Sequence, residues 1–117
     1  MLLKWDFLNK IVRGPYPLTL PQVGLLIYPK RIGVFLIHNE KKEVIYVGRG
    51  DEDLAKEIKK YIEMGKFFSY QYTISLKENY LLECKYFHRY QNNPNFLKKD
   101  HPLPPPGIEE KCPICGL

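Results

Sequence analysis

Arg31-Ile32-Gly33-Val34-Phe35-Leu36-Ile37 and Glu43-Val44-Ile45-Tyr46-Val47, parted by the polar stretch His38-Asn39-Glu40-Lys41-Lys42, decide the fold. Both runs are dense in branched and aromatic side chains, which suit a pleated, half-buried backbone, and the spacer has ordinary hairpin-loop length. They read as paired strands. Gly33 precedes Val34-Phe35 and Gly48 follows Tyr46-Val47. A glycine inside or at the end of a strand leaves bare backbone that another group can approach closely.

Outward from the hairpin, Gly48-Arg49-Gly50 makes a tight turn, and Asp51 and Asp53 are good caps for a helix over about 52–64 with Gly65 as its stop. Leu54, Ile58, Tyr61 and Ile62 fall on one face of that helix, and Lys56, Lys59 and Lys60 lie on or beside the other. Residues 67–75 alternate, Phe68, Tyr70, Tyr72 and Ile74 against Phe67, Ser69, Gln71 and Thr73, the pattern of a half-buried strand. Ser75-Leu76-Lys77-Glu78 is a capping box, so a second helix is predicted over 76–91, stopped by Asn93-Pro94-Asn95. Upstream, Pro15, Pro17, Pro21 and Pro29 punctuate residues 1–30; apart from a helical turn or two at 7–12 this reads as an extended lead-in. The expectation is an α+β domain: a three-stranded antiparallel sheet (31–37, 43–47, 67–75) with flanking helices. Residues 1–30 lead in, 31–92 form the core, and 93–117 form a proline-rich tail.

A chain of 117 residues holds one modest core, and 14% aromatic content argues that it has one. The net charge of +5 and a pI near 9.1 suit a polyanionic partner. The apolar run at 23–28 is far too short to cross a membrane, and the N-terminus does not read as a signal peptide, so no membrane partner is expected. Three cysteines are too few for a disulfide framework, and a reducing cytoplasm is the expected setting. Oligomeric state is not legible.

The cysteines suggest a metal instead. Cys112-Pro113-Ile114-Cys115-Gly116 is a knuckle-type turn that places two thiolates together, whereas a structural zinc takes four ligands. Cys84 and His88, four apart on the second predicted helix, project from one face and complete a Cys3His set of Cys84, His88, Cys112 and Cys115. His101 is the rival fourth ligand, and His38, in the hairpin loop, is the less suited. A redox reading of the knuckle lacks the helix N-terminus that would lower a thiol pKa. Zinc would staple a tail that has no core of its own.

Gly33-Val34-Phe35, Tyr46-Val47-Gly48, the helix opened by Asp53-Leu54, and Glu83 on the later helix resemble the signature of the GIY-YIG nuclease superfamily over residues 29–92. The chain is similar in particular to a small branch with Tyr46-Val47-Gly48-Arg49, Glu83-Cys84 followed by His88, His101-Pro102, and a terminal Cys112-Pro113-Ile114-Cys115. The resemblance implies a nucleic-acid partner, DNA more than RNA although the sequence does not decide between them, and metal-dependent phosphodiester hydrolysis. It gives Tyr46 the place of the second motif tyrosine, which lines the site, and Glu83 that of the ligand for one Mg²⁺ or Mn²⁺. Two positions depart from the pattern. Phe35 stands where the first tyrosine would be, and Glu57 stands where an arginine would face the phosphate. Arg49, Lys56 and Lys60 are candidates to take over that charge, with Lys59 beside them on the basic helix face. The alternative is a catalytically inactive, zinc-stapled protein-interaction module. Convergence of Arg49, Lys56, Lys60 and Glu83 on one cleft would favour phosphate chemistry.

Overall fold

The computed structural model describes residues 12–98 and 100–116. The strand Gly33–His38 (β2) is buried along its whole length because it is paired on both sides and covered on both faces. Its antiparallel partners are Val44–Gly50 (β3) and Phe67–Tyr72 (β4). Residues 67–72 thus join the sheet that holds the hairpin, as the alternation predicts. The sheet has four strands rather than three. Arg13–Pro17 (β1) pairs antiparallel with β4, giving the order β1-β4-β2-β3. The sequence hides β1 because two prolines in five residues suppress the strand signal, yet an edge strand tolerates a missing N–H.

A second departure lies in the lead-in, where Leu20–Leu26 is a helix (α1) rather than extended chain. Pro21 is in its first turn, where a proline loses no hydrogen bond, and the Thr19 side chain caps the Gln22 N–H. The expected turns at 7–12 fall almost wholly outside the described residues. Leu54–Lys59 (α2) is capped by the Asp53 side chain on Lys56 N–H. It is shorter than the expected 52–64, because from Lys60 onward tighter bonds take over, Lys60 to Glu57, Tyr61 to Ile58 and Met64 to Tyr61. Leu76–Tyr90 (α3) starts as predicted at the Ser75 cap, which accepts from Glu78 N–H, while Glu78 reaches back to Ile74 N–H.

Alternation along β2 divides the core. Phe35 and Ile37 pack with Val23 and Ile27 of the α1 region, Leu54 and Ile58 of α2, and Phe68 of β4. Val34 and Leu36 face the other way, onto Leu82, Tyr86 and Phe87 of α3 and Phe96 of the tail. An irregularity in the β2–β3 register at Ile37/His38 makes Ile45 the extra residue and lets the successive Ile45 and Tyr46 serve the same cluster. A third small cluster, Tyr80, Cys84 and Cys112, fastens the tail to α3. None of the described helices is long and apolar enough to cross a membrane.

His38 ends β2 as a core residue. Its Nδ1–H donates to the Lys42 carbonyl at 3.0 Å and Nε2 accepts from the Ser69 hydroxyl at 2.8 Å. Burial pushes its pKa below the ordinary 6.5, with the Lys42 carbonyl pulling the other way. The unfolded chain therefore binds the extra proton first, and stability should fall as pH drops below about 6.5 towards the lowered folded value. Urea midpoints measured at about pH 7 and about pH 5 should converge in His38→Gln relative to the wild type.

Candidate functional site

β3 is one edge strand of the sheet, β1 being the other, and the site is built around β3. Tyr46 and Gly48 project to the α2 side with Phe35, and Val47 and Arg49 to the α3 side. The tail then runs beside the edge: Leu97 N–H donates to Ile45 O at 2.7 Å and Lys98 Nζ to Val47 O at 3.0 Å. An otherwise open edge is covered, and Lys98 is delivered into the site.

On the α2 side, Gly48 lies directly opposite Phe35. A Cβ at Gly48 would meet Phe35 Cζ at 2.5 Å, so the ring occupies space that only glycine leaves. Phe35 is fully buried and has no hydroxyl to offer. The Tyr61 ring completes the cluster, 5.5 Å from Phe35 and 4.7 Å from Tyr46, and the hydroxyls of Tyr46 and Tyr61 are 2.9 Å apart. Burial, then the Tyr61 hydrogen bond, pushes the Tyr46 pKa well above the ordinary tyrosine value. Tyr46 is thus a hydroxyl that keeps its proton and orients a neighbour, rather than a ready base.

On the α3 side, Glu83 is 3% exposed and both of its oxygens are paired. Oε1 accepts from Arg49 Nη1 at 2.7 Å and Oε2 from Lys98 Nζ at 2.7 Å. Arg49 Nε also reaches both Asp51 oxygens, at 3.0 and 3.1 Å. Asn79, fully buried on α3, fixes the turn by donating to Gly50 O and Asp51 Oδ1 while accepting from the Thr73 hydroxyl. A carboxylate expected to hold Mg²⁺ or Mn²⁺ instead sits between two cations. Each Glu83 oxygen thus already has a cationic partner, which a hard divalent ion would have to compete with for that carboxylate.

Both halves open into a cleft of about 830 Å³. Arg49, Lys56, Lys60 and Glu83 all line it, together with Tyr46, Tyr61 and Lys98. Lys59 does not. Glu57 lines it as well and is paired with Lys60 at 3.1 Å, which neutralises that lysine. Lys30 and Lys56 line the mouth and make no ion pair among the described residues.

A second group lies at one wall of the cleft. Donor atoms of His88, His101, Cys112 and Cys115 all fall within 4.8 Å of one another. The Nε2 atoms of the two histidines are 3.2 Å apart, and Cys115 Sγ is 3.3 Å from His101 Nε2. Ligands on a tetrahedral zinc stand about 3.3–3.8 Å apart, given metal–nitrogen and metal–sulfur bonds of about 2.0 and 2.3 Å. His101 Nδ1–H donates to Pro102 O at 2.7 Å, which leaves Nε2 free to face the group. Cys84, expected as a ligand, lies outside it. It is buried between Tyr80 and Cys112, in hydrogen-bond contact with both, and burial pushes its thiol up to about 12. For Cys112 burial also opposes ionisation, but the backbone N–H groups of Cys115 and Ile114, with the His101 and Cys115 side chains, bring it down to about 6. The i, i+4 spacing finds Cys84 and His88 on one helix face, but depth along the side chains separates them: His88 reaches the tail's outer turn and Cys84 its underside.

Tyr61, Lys98, Asp51 and Asn79 escaped the sequence reading. Tyr61 reads as core by its spacing, and Lys98 sits in a tail with no periodicity. Only Asp51, read as a cap, carried any local signal.

No family model matches the chain, and no solved structure matches it. Among curated proteins it is similar to the UvrABC system protein C of Clostridium tetani (strain Massachusetts / E88), 32% identical over 90 residues. That alignment takes in 65% of this chain and 14% of the relative, so the chain corresponds to a small part of that protein's length.

The paired charges at Glu83 are all less than a fifth exposed, so losing one partner strands another. Glu83→Leu and Lys98→Met should each destabilise the domain by about 3 kcal/mol, and the double variant by clearly less than their sum. A double-mutant cycle of urea unfolding measures this.

Proposed function

We propose that the chain is a GIY-YIG-like domain that binds the phosphodiester backbone of nucleic acid in the cleft beside β3. The observation that carries this reading is the convergence of Arg49, Lys56, Lys60 and Glu83 on one cleft with Tyr46, residues drawn from β3, the α2 region and α3. The likeness to a short part of the UvrABC system protein C supports it, and the shared stretch is read as the nuclease-like domain. A phosphate at the mouth meets Lys56 and Lys30 first, then Arg49 and Lys98 deeper in. Tyr46 and Tyr61 present a linked pair of hydroxyls to a water or phosphate oxygen, and Tyr61 restores to the cluster the hydroxyl that Phe35 lacks.

Cleavage is expected to be slow. Removing one preorganised charge-stabilising group typically costs roughly 10²–10³ in rate, and Glu57 puts a carboxylate where positive charge would be useful. Backbone binding is therefore the primary activity. The interaction-module alternative would draw on a second groove, where Leu81, Leu82, Pro113 and Ile114 lie among Lys77, Glu78 and Lys85.

We further propose that His88, His101, Cys112 and Cys115 hold one structural zinc, with Cys84 as a thiol donor behind Cys112. The closed four-ligand set suits a structural ion, and the zinc would fix His101 and the cleft wall on which it lies.

Fluorescence anisotropy with labelled duplex and single-stranded DNA tests the first reading. Glu57→Arg should tighten binding and steepen the logarithmic salt slope by about one unit, and Lys56→Ala should weaken it and lower the slope by about one. Absence of salt-dependent binding to any nucleic acid would overturn the reading. Native mass spectrometry of fresh protein should find one zinc per chain, retained in Cys84→Ser and lost in His101→Ala.

A further inference from the structure

We propose that Lys98 is a tethered cation that replaces a divalent metal ion at Glu83, so that the cleft engages phosphate without Mg²⁺ or Mn²⁺. The inference rests on the reading of the cleft as a backbone-binding site and specifies how that site is charged.

Three observations carry it. The Lys98 ammonium sits where a hard cation would, on a carboxylate oxygen of Glu83 at 2.7 Å and the backbone oxygen of Val47 at 3.0 Å, with the Tyr46 ring 5.2 Å away. Those oxygen distances are ordinary for N–H donors, so the ammonium makes two well-formed hydrogen bonds there. Next, the ammonium is held from both sides of the chain. Phe96 is buried against Phe87 and Leu97 N–H is bonded to Ile45 O, while His101 is gathered with His88, Cys112 and Cys115. A lysine so anchored loses little further freedom when a ligand arrives. Last, the second Glu83 oxygen is held by Arg49, itself fixed by Asp51. A metal ion entering here would have to displace the Lys98 ammonium from Glu83 and leave it without its counter-charge in a site largely closed to water, where an unpaired charge is costly.

Glu83 thereby changes role. In place of binding a metal, it fixes a guanidinium and an ammonium side by side at the cleft floor. Two of the three ammonium N–H donors are used by Glu83 and Val47, and the third is directed to a phosphate oxygen of the bound backbone. No bond is made or broken in this step, and the charge that a hydrated ion would bring arrives on a side chain.

Mn²⁺ is the probe, followed by electron paramagnetic resonance on the zinc-loaded 117-residue chain in buffer otherwise free of divalent ions. Wild type should leave Mn²⁺ free at millimolar concentration, on the order of the weakest protein sites. Lys98→Ala should gain one Mn²⁺ per chain, Lys98→Arg should gain none, and Lys98→Ala with Glu83→Gln should lose it again. DNA binding by wild type should be unchanged when Mn²⁺ is added. One Mn²⁺ bound by wild type and lost in Glu83→Gln would overturn the inference, as would Mn²⁺-dependent DNA binding. If Lys98→Ala does not fold, the Lys98→Met variant carries the same comparison, and the wild-type titration decides by itself. Mn²⁺ exclusion as expected, with no nucleic-acid binding in any variant, would instead sink the backbone-binding reading and leave the tethered cation standing.

Discussion

The clamp of Arg49 and Lys98 on Glu83 ties together, by charge, three parts of the chain that also meet through the apolar cluster of Val47, Phe87 and Phe96. Arg49 comes from the end of β3, Glu83 from the middle of α3, and Lys98 from the tail. A carboxylate 3% exposed must have partners, because an isolated charge at that depth would cost several kcal/mol. Two charge-assisted bonds at 2.7 Å meet the requirement, and in doing so they set the height of α3 over the sheet and pin the tail along the strand edge. The cleft is the space left beside that arrangement.

The opposite side of β3 follows a steric constraint rather than an electrostatic one. Gly48 admits the Phe35 ring, and Phe35, Tyr46 and Tyr61 then fill a shared volume. The tightened turns after α2 are what bring Tyr61 there, since a regular helix to residue 64 would carry its side chain around the axis at a different angle. Shortening α2 and pairing the two hydroxyls are thus one event. The outcome is a cleft with an aromatic, proton-retaining wall on one side of a strand edge and a charged wall on the other.

His101 belongs at once to the His2Cys2 group and to the cleft wall. The tail has few apolar residues to bury, Phe96 and Cys112 among them, so its placement depends on polar and sulfur contacts. Ordering of the knuckle and ordering of Lys98 are coupled through only the few residues between Lys98 and His101. This gives the C-terminal segment a physical connection to the charged floor of the cleft.

Sequence alone determined the elements whose signals are local. Alternation from residue 67, the branched runs of β2 and β3, the Ser75 capping box and the Asp53 cap all act within a few residues and each formed its element, although β4 ends at Tyr72 rather than at 75 and β3 runs on to Gly50, through the Gly48-Arg49-Gly50 expected as a tight turn. It also picked out Tyr46, Arg49 and Glu83 as site candidates, and three of the four residues of the metal group, His88, Cys112 and Cys115, with His101 named as a rival to them. It missed β1 and α1, because prolines read as breakers until an edge position and a first helical turn make them harmless. Only the tertiary structure decided that His101 rather than Cys84 joins His88, since both face the tail and only their depth in the core separates them. Only the tertiary structure, too, brought Lys98 to Glu83 across the free edge of β3. Fifteen positions of chain separate the two, and no periodicity in that tail encodes the meeting. The pairing depends on the sheet having an edge there, which is a property of the assembled sheet and of no segment within it.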